Sequence, residues 1–520
     1  MNTHPSALLL ASLSALGATA EDVRPNIVLF LVDDMGWQDT SVPFWSARTP
    51  LNARYRTPNM ERMARLGVKF TNAYACPVSS PSRCSLLSGM NAARHRVTNW
   101  VARRDEFTDE AGASVKLPAW HCNGIQPAEG MSEADRHLST PVTALPQLLR
   151  EAGYYTIHCG KGNFASEGTA GANPLNFGYD VNITGSAAGA PASYLAQENY
   201  GKGFFHVSGL EAYYERGTFL TEALTLEAKK AMQKPISEHK PFFLYLAHYA
   251  IHTPYNADAR FTPHYMEGGE GIYDAQLGAR LNQQEVNRAA LLEGMDKSLG
   301  DVLDYLEEQG IADNTIVLFM SDNGGHSVWP RQGRLNIDPN FPARAGKGSA
   351  YEGGVREPMM VVWPGVVEGG TQNAGRVMIE DFFPTILELA SITSAPTVQT
   401  VDGHSFAELL RHPTLQRERT CVFHFPNRWR EADNESEGYG TYSALISGSY
   451  KLIYFWESQR LRLYDLAADI SEQHDLSDAL RQTTLPALAR ELTDSLISYD
   501  AQRPLDKQTS KPIAWPDGRE

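Results

Sequence analysis

Two pairs of adjacent oxygen donors, Asp33-Asp34 and Asp322-Asn323, lie far apart in the chain but share a setting. Each follows directly on an apolar run, NIVLFLV over 26–32 and TIVLFM over 315–320, with Ser321 between the second run and its pair. Hard oxygen donors suit Ca²⁺ or Mg²⁺, and Ca²⁺ takes about 6–8 of them. Four protein donors therefore leave room for a nucleophile and a substrate oxygen. Singly, DD and DNG read as turn residues, Asn-Gly being a common turn pair. Together, at the ends of two buried strands, they read as one divalent-metal site. A third stretch, CPVSSPSRCSLLSG over 76–89, sets small residues, two prolines and Arg83 ahead of a short apolar helix signal. Such a stretch is either a surface turn or a nucleophile presented at a helix start, where backbone N–H groups face an anion.

Both readings depend on the elements that carry these residues. A run apolar at every position suits a strand buried on both faces, as in a parallel sheet. The pattern recurs at 242–247, ending in His248, and at 359–363, ending in Pro364-Gly365. Between these runs, Thr57-Pro58 opens a helix with a cap and a first-turn proline and Gly67 closes it. A second helix spans 145–152 and ends at Gly153 before the strand-like YYTIHC. Alternating strands and helices predict an α/β fold, a large mixed, mostly parallel sheet sandwiched by helices. In such sheets ligands bind beyond the carboxyl ends of the strands, where all these polar clusters are expected. Near residue 412 the pattern changes. TYSALIS, YKLIYFW and LRLYDL, separated by SGS and ESQ turns, read as an antiparallel meander, with a helix over 485–497 covering one face. The expected division is a catalytic domain over 21–414 and a smaller α+β domain over 415–520.

Several motifs, in order along most of the chain, carry a resemblance to the sulfatase family. Ser79-Ser80-Pro81-Ser82-Arg83 resembles the family signature, in which a cysteine or serine stands two places before proline and four before arginine. Val78 stands where Cys76 would need that proline, so Ser79 takes the position and the chain resembles a serine-type member. DDMG resembles the first metal motif and SDNGG the second. Gly160-Lys161, His252-Thr253-Pro254, Gly346-Lys347 with YEGGVREP over 351–358, and LYDLAADISEQHDL over 463–476 resemble further family blocks. The resemblance implies an alkaline-phosphatase-like fold and sulfate-ester hydrolysis. It implies that a separate maturation enzyme oxidises Ser79 to formylglycine, whose hydrate offers one hydroxyl to attack sulfur and another to expel sulfate. It implies Asp33, Asp34, Asp322, Asn323 and residue 79 as metal ligands, with Ca²⁺ favoured over Mg²⁺ by family likeness alone. Arg83, Lys161 and Lys347 are implied to hold the modified residue and the sulfate, and His252 to protonate the sugar alkoxide. One departure stands out: the family's GKxH reads GKGN here, placing Asn163 where histidine helps eject sulfate. Asparagine takes up no proton, so either release is slowed or His248 or His326 serves it.

The implied substrate is a sulfated glycan. Candidate sugar contacts are Asn163, Trp100, Arg104, His326 and His424, since tryptophan faces stack on rings and arginine reaches polar groups. Two rivals remain at this point. One is a phosphatase or phosphodiesterase of the same fold using unmodified Ser79, although one metal's worth of motifs is present and such enzymes commonly hold two metals. The other is a non-catalytic glycan-binding protein, which Asn163 keeps open. The 520 residues carry 46 Lys and Arg against 61 Asp and Glu, a net charge of −15. That balance argues against nucleic acid, which needs a broad basic surface. Residues 1–20 pair an apolar stretch with Ala18-Thr19-Ala20, the pattern of an export signal cut after Ala20. An exported, periplasmic or secreted bacterial enzyme is expected, with no membrane span. Five scattered cysteines form no CxxC pair and read mostly as buried small hydrophobes.

Overall fold

The computed structural model describes residues 24–110, 112, 114–275, 278–327, 338–429 and 434–520. The proposed leader over 1–20 lies outside the described residues. The described chain forms a nine-stranded sheet from Asn26–Val32 (β1), Val68–Tyr74 (β2), Tyr155–Gly160 (β3), Val181–Ile183 (β4), Phe242–Ala247 (β5), Thr315–Ser321 (β6), Arg356–Val362 (β7), Thr371–Asn373 (β8) and Val377–Met378 (β9). Across the sheet the order is β8-β2-β7-β6-β1-β5-β3-β4, with β9 also beside β2. Strand β1 runs parallel to both β6 and β5, and β5 parallel to β3. Strand β7 runs antiparallel to β6 and to β2. The sheet is thus mixed and mostly parallel.

The all-apolar runs are explained by burial on two sides. Val28, Phe30 and Val32 of β1 enter one core, with the helices Leu220–Ser237 and Gln283–Glu308. Ile27, Leu29 and Leu31 enter the other, with the helices Ser79–Ser88, Leu145–Glu151 and Phe382–Leu389. Successive side chains alternate across a strand, so a strand covered on both faces must be apolar throughout. The helix Pro58–Leu66 forms as expected, but Thr57 does not cap it. The Thr57 hydroxyl lies instead 2.9 Å from that of Thr40 and accepts the Ser41 N–H at 2.8 Å. The free N–H groups of Asn59 and Met60 donate to Asp296 of helix Gln283–Glu308, at 3.0 and 2.7 Å. The cap comes from another helix, which local sequence does not reveal.

Beyond the main sheet, Cys421–Phe425 (β10), Tyr442–Ser447 (β11), Tyr450–Phe455 (β12) and Arg460–Asp465 (β13) form an antiparallel four-stranded sheet. The meander was legible; β10, its edge strand, was not. One face of this sheet packs on the helix Leu485–Ser498. The other packs on Val78, Ala345, Ala350 and Tyr351, the loops beside Ser79 and Lys347. All five cysteines are buried and free, in keeping with their reading as small hydrophobes. Among the described residues no helix is long and apolar enough to cross a membrane.

Candidate active site

Strands β1 and β6 lie side by side and end together, with Val32 opposite Ser321. Asp33 and Asp34 therefore emerge beside Asp322 and Asn323, all buried. One carboxylate oxygen from each of Asp33, Asp34 and Asp322 lies within 4.8 Å of the others. Asp34 takes the left-handed backbone conformation, φ 59°, which is uncommon for a residue other than glycine.

Ser79 is the first residue of the helix Ser79–Ser88 and is almost wholly buried. Its Oγ lies 3.1 Å from Asp33 Oδ1 and 3.0 Å from Asn323 Oδ1, and Lys161 Nζ donates to it at 2.9 Å. One hydroxyl proton serves only one of two acceptors, so the cluster holds more lone pairs than protons. Asp34 Oδ2 is likewise buried without a hydrogen-bond partner. Unsatisfied buried carboxylate oxygens are costly. A hard divalent cation would satisfy them, and this donor set fits one.

Cations ring the cluster. Lys161 Nζ is 2.6 Å from Asp33 Oδ2, and Lys347 Nζ is 2.6 Å from Asp34 Oδ1. Arg83 binds Asp322 Oδ2 through Nε at 2.9 Å and Nη2 at 2.8 Å, and donates to the Lys161 carbonyl at 3.1 Å. Arg83 thus ties the signature helix to the second metal motif and to the lysine that touches Ser79. Burial pushes the Lys161 ammonium down, against the pull of Asp33. Burial acts on Lys347 in the same direction, but Asp34, Asp33 and Asp322 outweigh it and hold its pKa above the usual lysine range. Burial opposes the charge of Asp34 as well, yet Lys347 and His252 hold its carboxyl well below the usual range.

His252 Nδ1 is 2.7 Å from the Thr253 carbonyl. A carbonyl only accepts, so Nδ1 carries the proton and Nε2, 3.6 Å from Asp34 Oδ2, is the nitrogen free to exchange one. Burial lowers the His252 pKa, with Asp34 opposing.

Asn163 lies in the same cavity but is committed. Ser80 Oγ accepts the Val101 N–H at 3.1 Å and so donates to Asn163 Oδ1 at 2.7 Å. That fixes the amide: Nδ2 donates to the carbonyls of Val101 at 3.2 Å and Ala187 at 2.9 Å. The side chain is a structural cross-link with no spare proton function. His248, the other histidine considered for that role, is buried against Phe30 with Nε2 2.8 Å from Ser298 Oγ, and does not line the cavity. His326 does line it.

The cavity is about 260 Å³ and is lined by Ser79, Lys161, Asn163, His252, His326 and Lys347, together with Trp100 and other apolar residues. Two proposed sugar contacts lie outside it. Arg104 is bound to Asp135 at 2.7 Å, to the Ala134 carbonyl at 2.9 Å and to the Gly168 carbonyl. His424 is buried in β10, bonded to Ser443 Oγ at 2.7 Å and the Gln502 carbonyl at 3.0 Å, with its ring against Trp456. The expectation for Pro364-Gly365 also fails, because β7 is antiparallel: Val362 pairs with Val317, so these residues leave at the opposite edge of the sheet. The entrance of β7, carrying YEGGVREP, lies at the site instead.

Sequence patterns missed Asn340. Its Oδ1 accepts the Gly325 N–H at 2.8 Å, and its Nδ2 donates to the carbonyls of Gly325 and Ala345, both at 2.9 Å. It fastens the SDNGG turn to the chain just before Lys347. A lone Asn in a loop carries no periodic signal. Replacing it (Asn340→Ala) leaves buried backbone groups unpaired and is expected to cost about 2–4 kcal/mol. A lowered urea midpoint measures that cost, and an unchanged midpoint contradicts the role.

The Sulfatase family model matches residues 25–392, and the model for N-sulphoglucosamine sulphohydrolase, C-terminal, matches residues 346–502. The chain is 28% identical to a sulfatase of Formosa agariphila, covering 90% of this chain and 88% of that one. It is 31% identical to human N-acetylgalactosamine-6-sulfatase, over 75% of this chain and 66% of the relative. The structure of Ps i-CgsB in complex with k-i-k-neocarrahexaose shares the fold, with a TM-score of 0.66 at 24% identity over 94% of this chain and 95% of that one. The architecture is the alkaline-phosphatase-like one, and the chain belongs to the sulfatase family of sulfuric ester hydrolases.

Proposed function

We propose that the protein removes O-sulfate from a carbohydrate, using residue 79 matured to formylglycine and one divalent cation. Ca²⁺ is the favoured ion and Mg²⁺ the alternative. The observation that carries this reading is Ser79 Oγ at 2.9–3.1 Å from Lys161, Asp33 and Asn323 together. Asp33, Asp34, Asp322 and Asn323 would hold the cation. When bound, it would lower the pKa of the hydroxyl at residue 79 and polarise a sulfate oxygen. Lys161 and Lys347 neutralise the non-bridging sulfate oxygens as point charges. Arg83 holds Asp322 and the Lys161 backbone in register. His252, once it has taken up a second proton at Nε2 beside Asp34, gives that proton to the departing sugar oxygen, a poor leaving group without protonation. Support for a glycan comes from the human relative named N-acetylgalactosamine-6-sulfatase and from the oligosaccharide bound to Ps i-CgsB. The partners are that glycan and a maturation enzyme, and the leader pattern supports export to a bacterial periplasm or beyond.

Because Asn163 is committed and His248 lies elsewhere, His326 is the histidine that takes the proton when sulfate is released. His326→Gln is then expected to leave a first burst of about one equivalent of desulfated product and to slow later turnovers about 10²-fold. Loss of the burst itself would contradict that role. The test of the whole reading is release of inorganic sulfate from sulfated sugars by matured protein, an activity abolished by EDTA and restored by Ca²⁺ or Mg²⁺. No sulfate release from any sulfated sugar would overturn it.

A further inference from the structure

His252 stands at the end of a turn that follows β5. Its N–H donates to the Tyr249 carbonyl at 2.9 Å, which closes the turn over residues 249–252. Asp33 grips the middle of that turn: its N–H donates to the Ala250 carbonyl at 2.9 Å, and its carbonyl accepts the Ile251 N–H at 2.6 Å. The imidazole is fastened to the same stretch of backbone, since Nδ1 bonds the Thr253 carbonyl at 2.7 Å. The ring therefore moves with the turn. The place of Nε2, 3.6 Å from Asp34 Oδ2, is set by how the turn is held.

Tyr194 holds the ends of the turn. Its hydroxyl lies 2.7 Å from the Tyr249 carbonyl and 2.9 Å from the His252 carbonyl. Carbonyls only accept, so the phenol proton is shared between them. Burial pushes the phenol pKa well above its ordinary value, with Asp33 and Asp34 adding to the effect, so the group stays a donor. Beyond the histidine, Asn256 Oδ1 accepts the Tyr194 N–H at 2.9 Å. Tyr194 is itself fixed. It is wholly buried, and its ring stacks on Phe219 at 5.6 Å and 12°. Its carbonyl accepts the Leu220 N–H at 2.9 Å, at the start of the helix Leu220–Ser237. Two bonds from Asp33 to adjacent residues leave the turn free to tilt about them. Contacts at both ends and at Asn256 remove that freedom.

We propose that Tyr194 is a positioning residue for the acid step: its hydroxyl and backbone N–H clasp the segment 249–256 and so set where His252 Nε2 meets the departing sugar oxygen. A displacement of about 1 Å costs up to about 10²-fold in rate. The acid itself supplies about 10²–10⁴-fold, which caps the contribution of Tyr194. This inference rests on the proposed sulfate-ester hydrolysis and on His252 as its acid.

Tyr194→Phe keeps the ring on Phe219 and removes only the hydroxyl. In matured protein it is expected to lower kcat for N-acetylgalactosamine 6-sulfate at least tenfold with KM changed less than twofold, because the loss falls on a step after binding. In a His252→Gln background the same change is expected to cost less than twofold, since a residue that acts through His252 has nothing left to position. Equal losses in the two backgrounds, or no loss in either, overturn the proposal. A loss with His252→Gln and none with Tyr194→Phe overturns this inference alone. If His252→Gln leaves kcat intact, the acid reading falls and this inference with it. A second measurement needs neither maturation nor substrate, and decides if the parent releases no sulfate from that sugar. In crystal structures of the parent and Tyr194→Phe proteins, His252 Nε2 is expected to move by about 1 Å relative to Asp34. An unmoved imidazole overturns the proposal. Should Tyr194→Phe not fold, Asn256→Ala is expected to show the same background-dependent loss. Asn256→Asp, which keeps an acceptor for the Tyr194 N–H, is expected to recover it. Unchanged kcat with Asn256→Ala would then overturn the proposal.

Discussion

Ser79→Ala is expected to abolish sulfate release, a loss on the order of 10⁶-fold, without unfolding the protein. The size of the effect follows from what the residue contacts. Its Oγ is within 3.1 Å of two metal-motif oxygens and of the Lys161 ammonium, at the floor of the cavity. Alanine leaves Lys161 bound to Asp33 and Arg83 bound to Asp322, so the surrounding ion pairs persist. The helix is retained because its cap residue is Val78 and makes no side-chain cap bond. Steady-state sulfate release and a thermal melt check both halves. A variant that melts like the parent and releases no sulfate agrees. Residual turnover within about 10²-fold of the parent would place the nucleophile elsewhere.

His252→Gln is expected to cost about 10²–10⁴-fold on sugar sulfates and far less on 4-nitrophenyl sulfate. The difference arises at the leaving group. A sugar alkoxide is strongly basic and leaves only if protonated, whereas 4-nitrophenolate leaves unaided. Glutamine retains a donor at roughly the Nε2 position but carries no transferable proton. With His252 Nδ1 bonded to the Thr253 carbonyl, Nε2 is the atom that faces the cluster. The check is kcat on both substrates. Equal losses on the two would mean that His252 positions the sulfate rather than donating to the sugar.

Much of this site was legible because two signals coincide. Continuous apolar runs mark strands covered on both faces, and oxygen-rich pairs directly after them mark a shared sheet edge. Val32 and Ser321 do pair, bringing Asp33, Asp34, Asp322 and Asn323 together. Periodicity has no direction, however, so the antiparallel β7 was invisible and Pro364-Gly365 was assigned to the wrong edge. Arg104 and His424 were chosen for side-chain type, but Asp135 and Ser443 had already engaged them. Trp429, Phe205 and Asn340 sit in loops where no spacing rule operates. Trp429 reaches the cavity only because the C-terminal sheet packs on the Lys347 loop. Asn163 shows the reverse case: the sequence revealed a departure, and the contacts with Ser80, Val101 and Ala187 explain what the amide does there.

The most direct measurement is the mass of the tryptic peptide 70–83 from protein made in its native host. Formylglycine at position 79 makes the peptide lighter than its encoded sequence by two hydrogens, with the change located at that residue by fragmentation. Unmodified serine at 79 in protein that nevertheless releases sulfate would contradict the proposed chemistry.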